Sequence, residues 1–124
     1  MKKLRSVLCL ALILVSVVSS GALAATFSFF FSNTGTDYSI LAEKTNGKSF
    51  ATVQVTSAPS SATYKYAVAT GIYTGYKTSW KNKTGTGTFD ISYNSKPSDG
   101  TDLRLHGATV SNSGTSTVSG VWTP

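Results

Sequence analysis

The sequence predicts an all-β protein: an antiparallel β-sandwich or small barrel of about seven or eight strands, preceded by a signal helix that is cleaved off. Three observations predict it. About a third of residues 25–124 are Ser or Thr, Gly is frequent, and Ala and Leu are sparse, which is the composition of short strands and polar turns. Apolar residues recur at every second position in several windows. Turn signals separate these windows, and no window carries a convincing helical period.

The chain opens with "MKKLRSVLCLALILVSVVSSGALA". Lys2, Lys3 and Arg5 form a positive region, Val7 to Val18 is nearly all apolar, and Ala22-Leu23-Ala24 supplies the small residues of a cleavage site. The apolar run is shorter than the roughly 20 residues of a spanning helix and ends in Ser-Ser-Gly. A secretory signal peptide over 1–24, cleaved after Ala24, is therefore expected, with a single β-domain over 25–124 and a secreted product. Such a domain buries roughly two-thirds of its unfolded surface, enough for one core. Without the signal, eight basic residues face five acidic ones and the net charge drops from +6 to +3. The single Cys9 lies inside the signal, so disulfides, thiolate metal sites and cysteine nucleophiles are excluded from the mature domain.

The strand candidates follow in order. "TFSFFFS" sets Phe27, Phe29 and Phe31 on one face, with Phe30 on the other. "YSILAE" groups Tyr38, Ile40 and Ala42. Asn46-Gly47 is a two-residue hairpin signal, since both residues tolerate positive φ. "SFATVQVTS" aligns Ala51, Val53 and Val55, and "APSS" breaks the pattern. "TYKYAVAT" sets Tyr64, Tyr66 and Val68 against Thr63, Lys65, Ala67 and Ala69. "TFDISYN" alternates Phe89, Ile91 and Tyr93 with polar residues, and "KPSDG" turns. "TDLRLHGATV" opposes Leu103 and Leu105 to Asp102, Arg104 and His106. After "SNSGTS", the final strand aligns Val118 with Trp122.

One stretch, "GIYTGYKTSWKNKTG", interleaves aromatics with lysines. As a strand it places Tyr76, Thr78 and Trp80 on one side and Lys77, Ser79 and Lys81 on the other, with Lys83 continuing the lysine row. Gly71, Gly75 and the threonines make a helix costly there. The expected packing turns Tyr76 and Trp80 inward and leaves the lysines as a solvated row that protects an edge. The competing reading is a binding face built from Tyr73, Tyr76, Lys77, Trp80, Lys81 and Lys83. Tyr64 and Tyr73 are further candidates for a shaped contact.

Catalytic groups are scarce. His106 is the one histidine, and although Asp102, Arg104 and His106 share a strand face, no serine-enzyme motif accompanies them; a solvated polar face is expected. The carboxylates Asp37, Glu43, Asp90, Asp99 and Asp102 show no glycosidase-like pairing. "SDGTD" lacks the dense ligand spacing of a calcium loop, and there is no dinucleotide or phosphate-binding motif. No catalytic residue, metal or cofactor is expected. Nucleic acid is a poor match for a domain with modest charge and one arginine, Arg104. The Asn82 sequon is taken as chance.

"ATFSFFFS", "KTNGKSFATVQVTS" and "VSGVWTP" resemble a group of small secreted Gram-positive proteins of unknown function. These share a C-terminal Gly-x-Trp-Ser/Thr-Pro, and some are bacteriocin-associated. The resemblance implies a Ser/Thr-rich β-domain and carries over no catalytic residue. The expected function is a secreted, non-enzymatic bacterial protein acting at cell envelopes, bacteriocin-like or accessory to a bacteriocin. The expected partners are anionic envelope polymers, the membrane surface or glycans. A carbohydrate-binding or adhesion module is the alternative, and a small hydrolase using His106 the remote one.

Overall fold

The computed structural model describes residues 24–32, 35–111 and 114–124; the predicted signal segment up to residue 23 lies outside them. Nine strands are described: β1 Ala25–Ser32, β2 Thr36–Tyr38, β3 Ala42–Glu43, β4 Phe50–Ser57, β5 Thr63–Ala69, β6 Lys81–Thr84, β7 Gly87–Ser92, β8 Asp102–Ser111 and β9 Thr115–Thr123. They form two antiparallel sheets, one ordered β1-β9-β4-β7 and the other β2-β8-β5-β6, with β3 also on β8. The sheets face each other as a sandwich, so the barrel alternative is set aside. No helix among the described residues is long and apolar enough to cross a membrane.

The predicted alternation builds the core. Phe27, Phe29, Phe31, Ala51, Val53, Val55, Val118 and Trp122 come inward from the first sheet, and Tyr64, Tyr66, Val68, Leu103 and Leu105 from the second. Phe31 stacks on Tyr64 at 5.2 Å and Tyr66 meets Phe89 at 5.3 Å, so rings from the two sheets interlock. Gly107 permits this closeness, since a Cβ there would lie 2.5 Å from a Phe29 ring carbon; within the first sheet, a Cβ on Gly120 of β9 would fall on the Gln54 carbonyl oxygen of β4. Burial pushes the Tyr66 and Tyr93 hydroxyl pKa values up.

Connectivity departs from the sequence reading. Asn46-Gly47 is not a hairpin, because β3 pairs with β8 whereas β4 pairs with β7 and β9. The turn instead carries the chain from one sheet to the other. Gly47 does take positive φ, at 65°. The Asn46 side chain spans the crossing: Oδ1 accepts from Lys48 N at 2.9 Å and from Lys44 Nζ at 3.0 Å, and Nδ2 donates to the Pro124 carbonyl at 2.8 Å. Lys44 is fully buried, its ammonium 4.9 Å from the centre of the Tyr93 ring, and desolvation lowers its pKa despite nearby Asp99. "YSILAE" is also not continuous: Ser39 turns inward and its Oγ accepts from Leu105 N at 2.9 Å, splitting β2 from β3.

Candidate functional site

The site begins where β5 ends. Thr70 N donates to Gly75 O at 3.0 Å and Gly71 N to Thr74 O at 3.2 Å, closing a tight turn. The returning strand places Tyr76 opposite Ala69, and Lys77 N donates to Val68 O at 2.8 Å. Buried Thr78 accepts from Val68 N through its hydroxyl at 3.0 Å and bridges Tyr93 of the other sheet. Pairing with β5 resumes at Lys81 opposite Tyr66. Between these points Ala67 and Val68 face four residues, Lys77 to Trp80. The two extra residues form a bulge that re-aims Trp80.

This local irregularity assembles a row on the outer face of the second sheet. Arg104 lies 5.4 Å from the Tyr38 ring centre, Tyr38 is 6.0 Å from His106, and His106 is 5.2 Å from Tyr76. Tyr76 is 5.4 Å from Trp80, and Lys65 Nζ lies 5.0 Å from the Trp80 ring centre. A cation thus stands at each end of four rings, each in reach of cation–π attraction. Tyr38 and Tyr76 are 38% and 40% exposed, so ring surface remains open to a ligand. Neither Lys65 nor Arg104 has an ion-pair partner among the described residues. Ala67, Ala69 and Ala108 are buried although they lie on the outer face of the same sheet.

His106 is the hub. It is fully buried, which corrects the expected solvated polar face. Its Nε2 lies 2.9 Å from the Gly71 carbonyl oxygen; a carbonyl only accepts, so Nε2 carries the hydrogen. Nδ1 is then the acceptor for the Tyr76 hydroxyl at 3.4 Å. Burial lowers the His106 pKa, with Arg104 adding to the shift and the Gly71 bond opposing it. Both ring nitrogens are engaged by groups other than carboxylates, so the triad drawn through Asp102 and His106 is not assembled. Among the described residues no cluster of His, Cys, Asp or Glu is grouped to hold a metal. Asp99 instead accepts from Gly47 N at 3.2 Å.

The structure brings only part of the predicted set together. The pleat does separate rings from lysines, but in the opposite sense to the inward packing expected. Tyr76 and Trp80 lie on the outer face, half-exposed, whereas Lys81 and Lys83 pair with the core-facing Tyr66 and Tyr64. They reach from the core side of β6 toward β7: Lys81 Nζ donates to Asp90 O at 2.6 Å, and Lys83 Nζ lies over Gly87. Lys81 is exposed and Lys83 half-buried, both on the edge strand β6, so the expected edge row stands while Lys83 is only partly solvated. Lys77 is half-buried, its backbone bonded to Val68 O and Asn94 N, and Tyr73 stands 85% exposed at the hairpin tip. Tyr64, a candidate contact in the sequence, is core and donates to Ser116 Oγ at 2.7 Å.

The sequence reading missed that Tyr38, Lys65, Arg104 and His106 join Tyr76 and Trp80 in one row. Each stands at an outward position of its strand, which was the only local signal. Beyond Trp80 a shallow cavity of about 290 Å³ opens, with Ser79, Asp90, Ser92 and Asn94 among its walls. No family model matches the chain, and no curated protein or solved structure matches it.

Proposed function

We propose that the protein is a secreted, non-enzymatic module that binds glycans of the cell envelope through the Tyr38–Tyr76–Trp80 row. The carrying observation is the partly exposed row running into a cavity whose walls include hydroxyl, amide and carboxylate residues and Lys81. Sugar rings present an apolar C–H face and a polar hydroxyl rim, and this pairing of open aromatic surface with convergent polar groups suits both. The rings are tilted by 38°, 68° and 50° along the row, a shape for a single twisted chain rather than a flat surface.

Binding of purified protein to isolated envelope polysaccharide tests the reading. The expected result is retention that persists at high salt and is lost in Trp80→Ala. Retention abolished by salt and indifferent to Trp80→Ala would replace it with unspecific attraction of a cationic domain to anionic polymer.

A further inference from the structure

We propose that the free edge of β1 is a self-association surface, on which β1 of a second copy docks antiparallel across a two-fold axis and joins two four-stranded sheets into one. The first sheet ends in β1 and β7, and the second in β2 and β6. Three of these edges carry protection. β6 bears Lys81 and Lys83, β7 bears Asp90, and β2 is three residues long and bears Asp37. β1 has eight residues, ATFSFFFS, without a charge or a proline.

Alternate backbone groups of an edge strand point away from its neighbour. Phe30 N is on that free side, since it donates to Asp37 Oδ2 at 3.0 Å. Thr26 and Ser28 share its parity, so their N–H and C=O groups also face outward. They open onto a groove of about 300 Å³ completed by Phe27, Tyr38, Ser39 and Ile40. Every residue lining it is uncharged.

An occupant must therefore be extended, neutral and alternating, and β1 itself has that pattern. A two-fold axis at Phe27 sets Thr26 opposite Ser28 of the second copy twice, so four backbone hydrogen bonds form and hydroxyl side chains meet on the outer face. No like charges meet at the seam. A charged foreign strand would lose hydration in this groove without gaining a counter-charge. Phe30, 62% exposed, and Ile40, 72% exposed, flank the seam and would be covered.

Sedimentation velocity of the purified protein, its N-terminus read by intact mass, tests this from about 1 to about 100 µM. The expected result is a sedimenting mass rising toward twice that of the monomer. Ser28→Pro removes an N–H that β9 does not use, and Ser28→Lys places two ammonium groups near each other across the seam. Both variants should stay monomeric while melting close to the parent. A parent that remains monomeric throughout, or a dimer that survives both substitutions, overturns the proposal. So does a monomeric parent that takes up a foreign strand-forming peptide.

Discussion

His106 Nε2–H donates to the Gly71 carbonyl oxygen at 2.9 Å, and this bond ties the hairpin carrying Tyr76 down onto the outer face of the second sheet. The imidazole is buried and its pKa is lowered from 6.5, chiefly by desolvation. The unfolded chain therefore takes up a proton near pH 6.5 that the folded protein resists. Stability is fully present above that pH and is lost as the pH falls toward the lower folded value. As the one histidine of the chain, His106 is the group that titrates in this range. Thermal midpoints from about pH 7.5 down to about pH 5.5 should fall, and His106→Gln should flatten the trend. An equally steep fall in His106→Gln would show that another group carries it.

Ligand binding should divide along the pleat. Trp80→Ala and Tyr76→Ala should each weaken polysaccharide binding by about tenfold or more, as loss of an aromatic anchor does. Their stability cost should stay within about 1–3 kcal/mol, because both rings are half-exposed. Lys83→Ala should leave affinity within about twofold, since that side chain projects from the other face and Lys83 lines no part of the cavity beyond Trp80. Affinity electrophoresis beside urea unfolding would separate the two effects.

Gly107 is held small by the rings opposite it. Gly107→Ala places a methyl group 2.5 Å and 2.7 Å from two Phe29 ring carbons. The expected cost is about 1–3 kcal/mol of overpacking, read as a lower urea midpoint with unchanged slope. A midpoint equal to the parent's would mean that the two sheets can separate locally at no cost.

The Asn46 amide serves three partners at the crossing between sheets. Asn46→Ala leaves the buried Lys44 ammonium only its longer bond to Pro124 O, at 3.4 Å, and the Tyr93 ring, and should cost about 1–3 kcal/mol. Lys44→Met removes the charge with its need for partners and should cost less. If urea unfolding ranks the two the other way, the lysine is the clamp and the asparagine merely accompanies it.

Period-two alternation carried most of the architecture in the sequence. It located the inward residues of β1, β4, β5, β7, β8 and β9, because burying one face of a pleated strand leaves a local pattern. Connectivity was not legible. Asn46-Gly47 has the same turn chemistry whether the strands it joins pair with each other or belong to opposite sheets, and only the partners of β3 and β4 decide between these. The Trp80 bulge was equally hidden: two extra residues register only against the length of β5.

By itself, then, the sequence determined which side chains of each strand share a face, and that rings and lysines part company after Gly75. Which face becomes the interior was decided by tertiary structure. β6 is an edge whose core side looks across to β7, so Lys81 and Lys83 reach toward Asp90 and Gly87 of β7 while Trp80 turns outward to meet Tyr76 and Lys65. Tyr38, His106 and Trp80 are far apart along the chain. They are gathered by strand pairing, which sets Tyr38 beside His106 on β8 and Tyr76 beside Ala69 on β5, and that pairing exists only once the second sheet has formed.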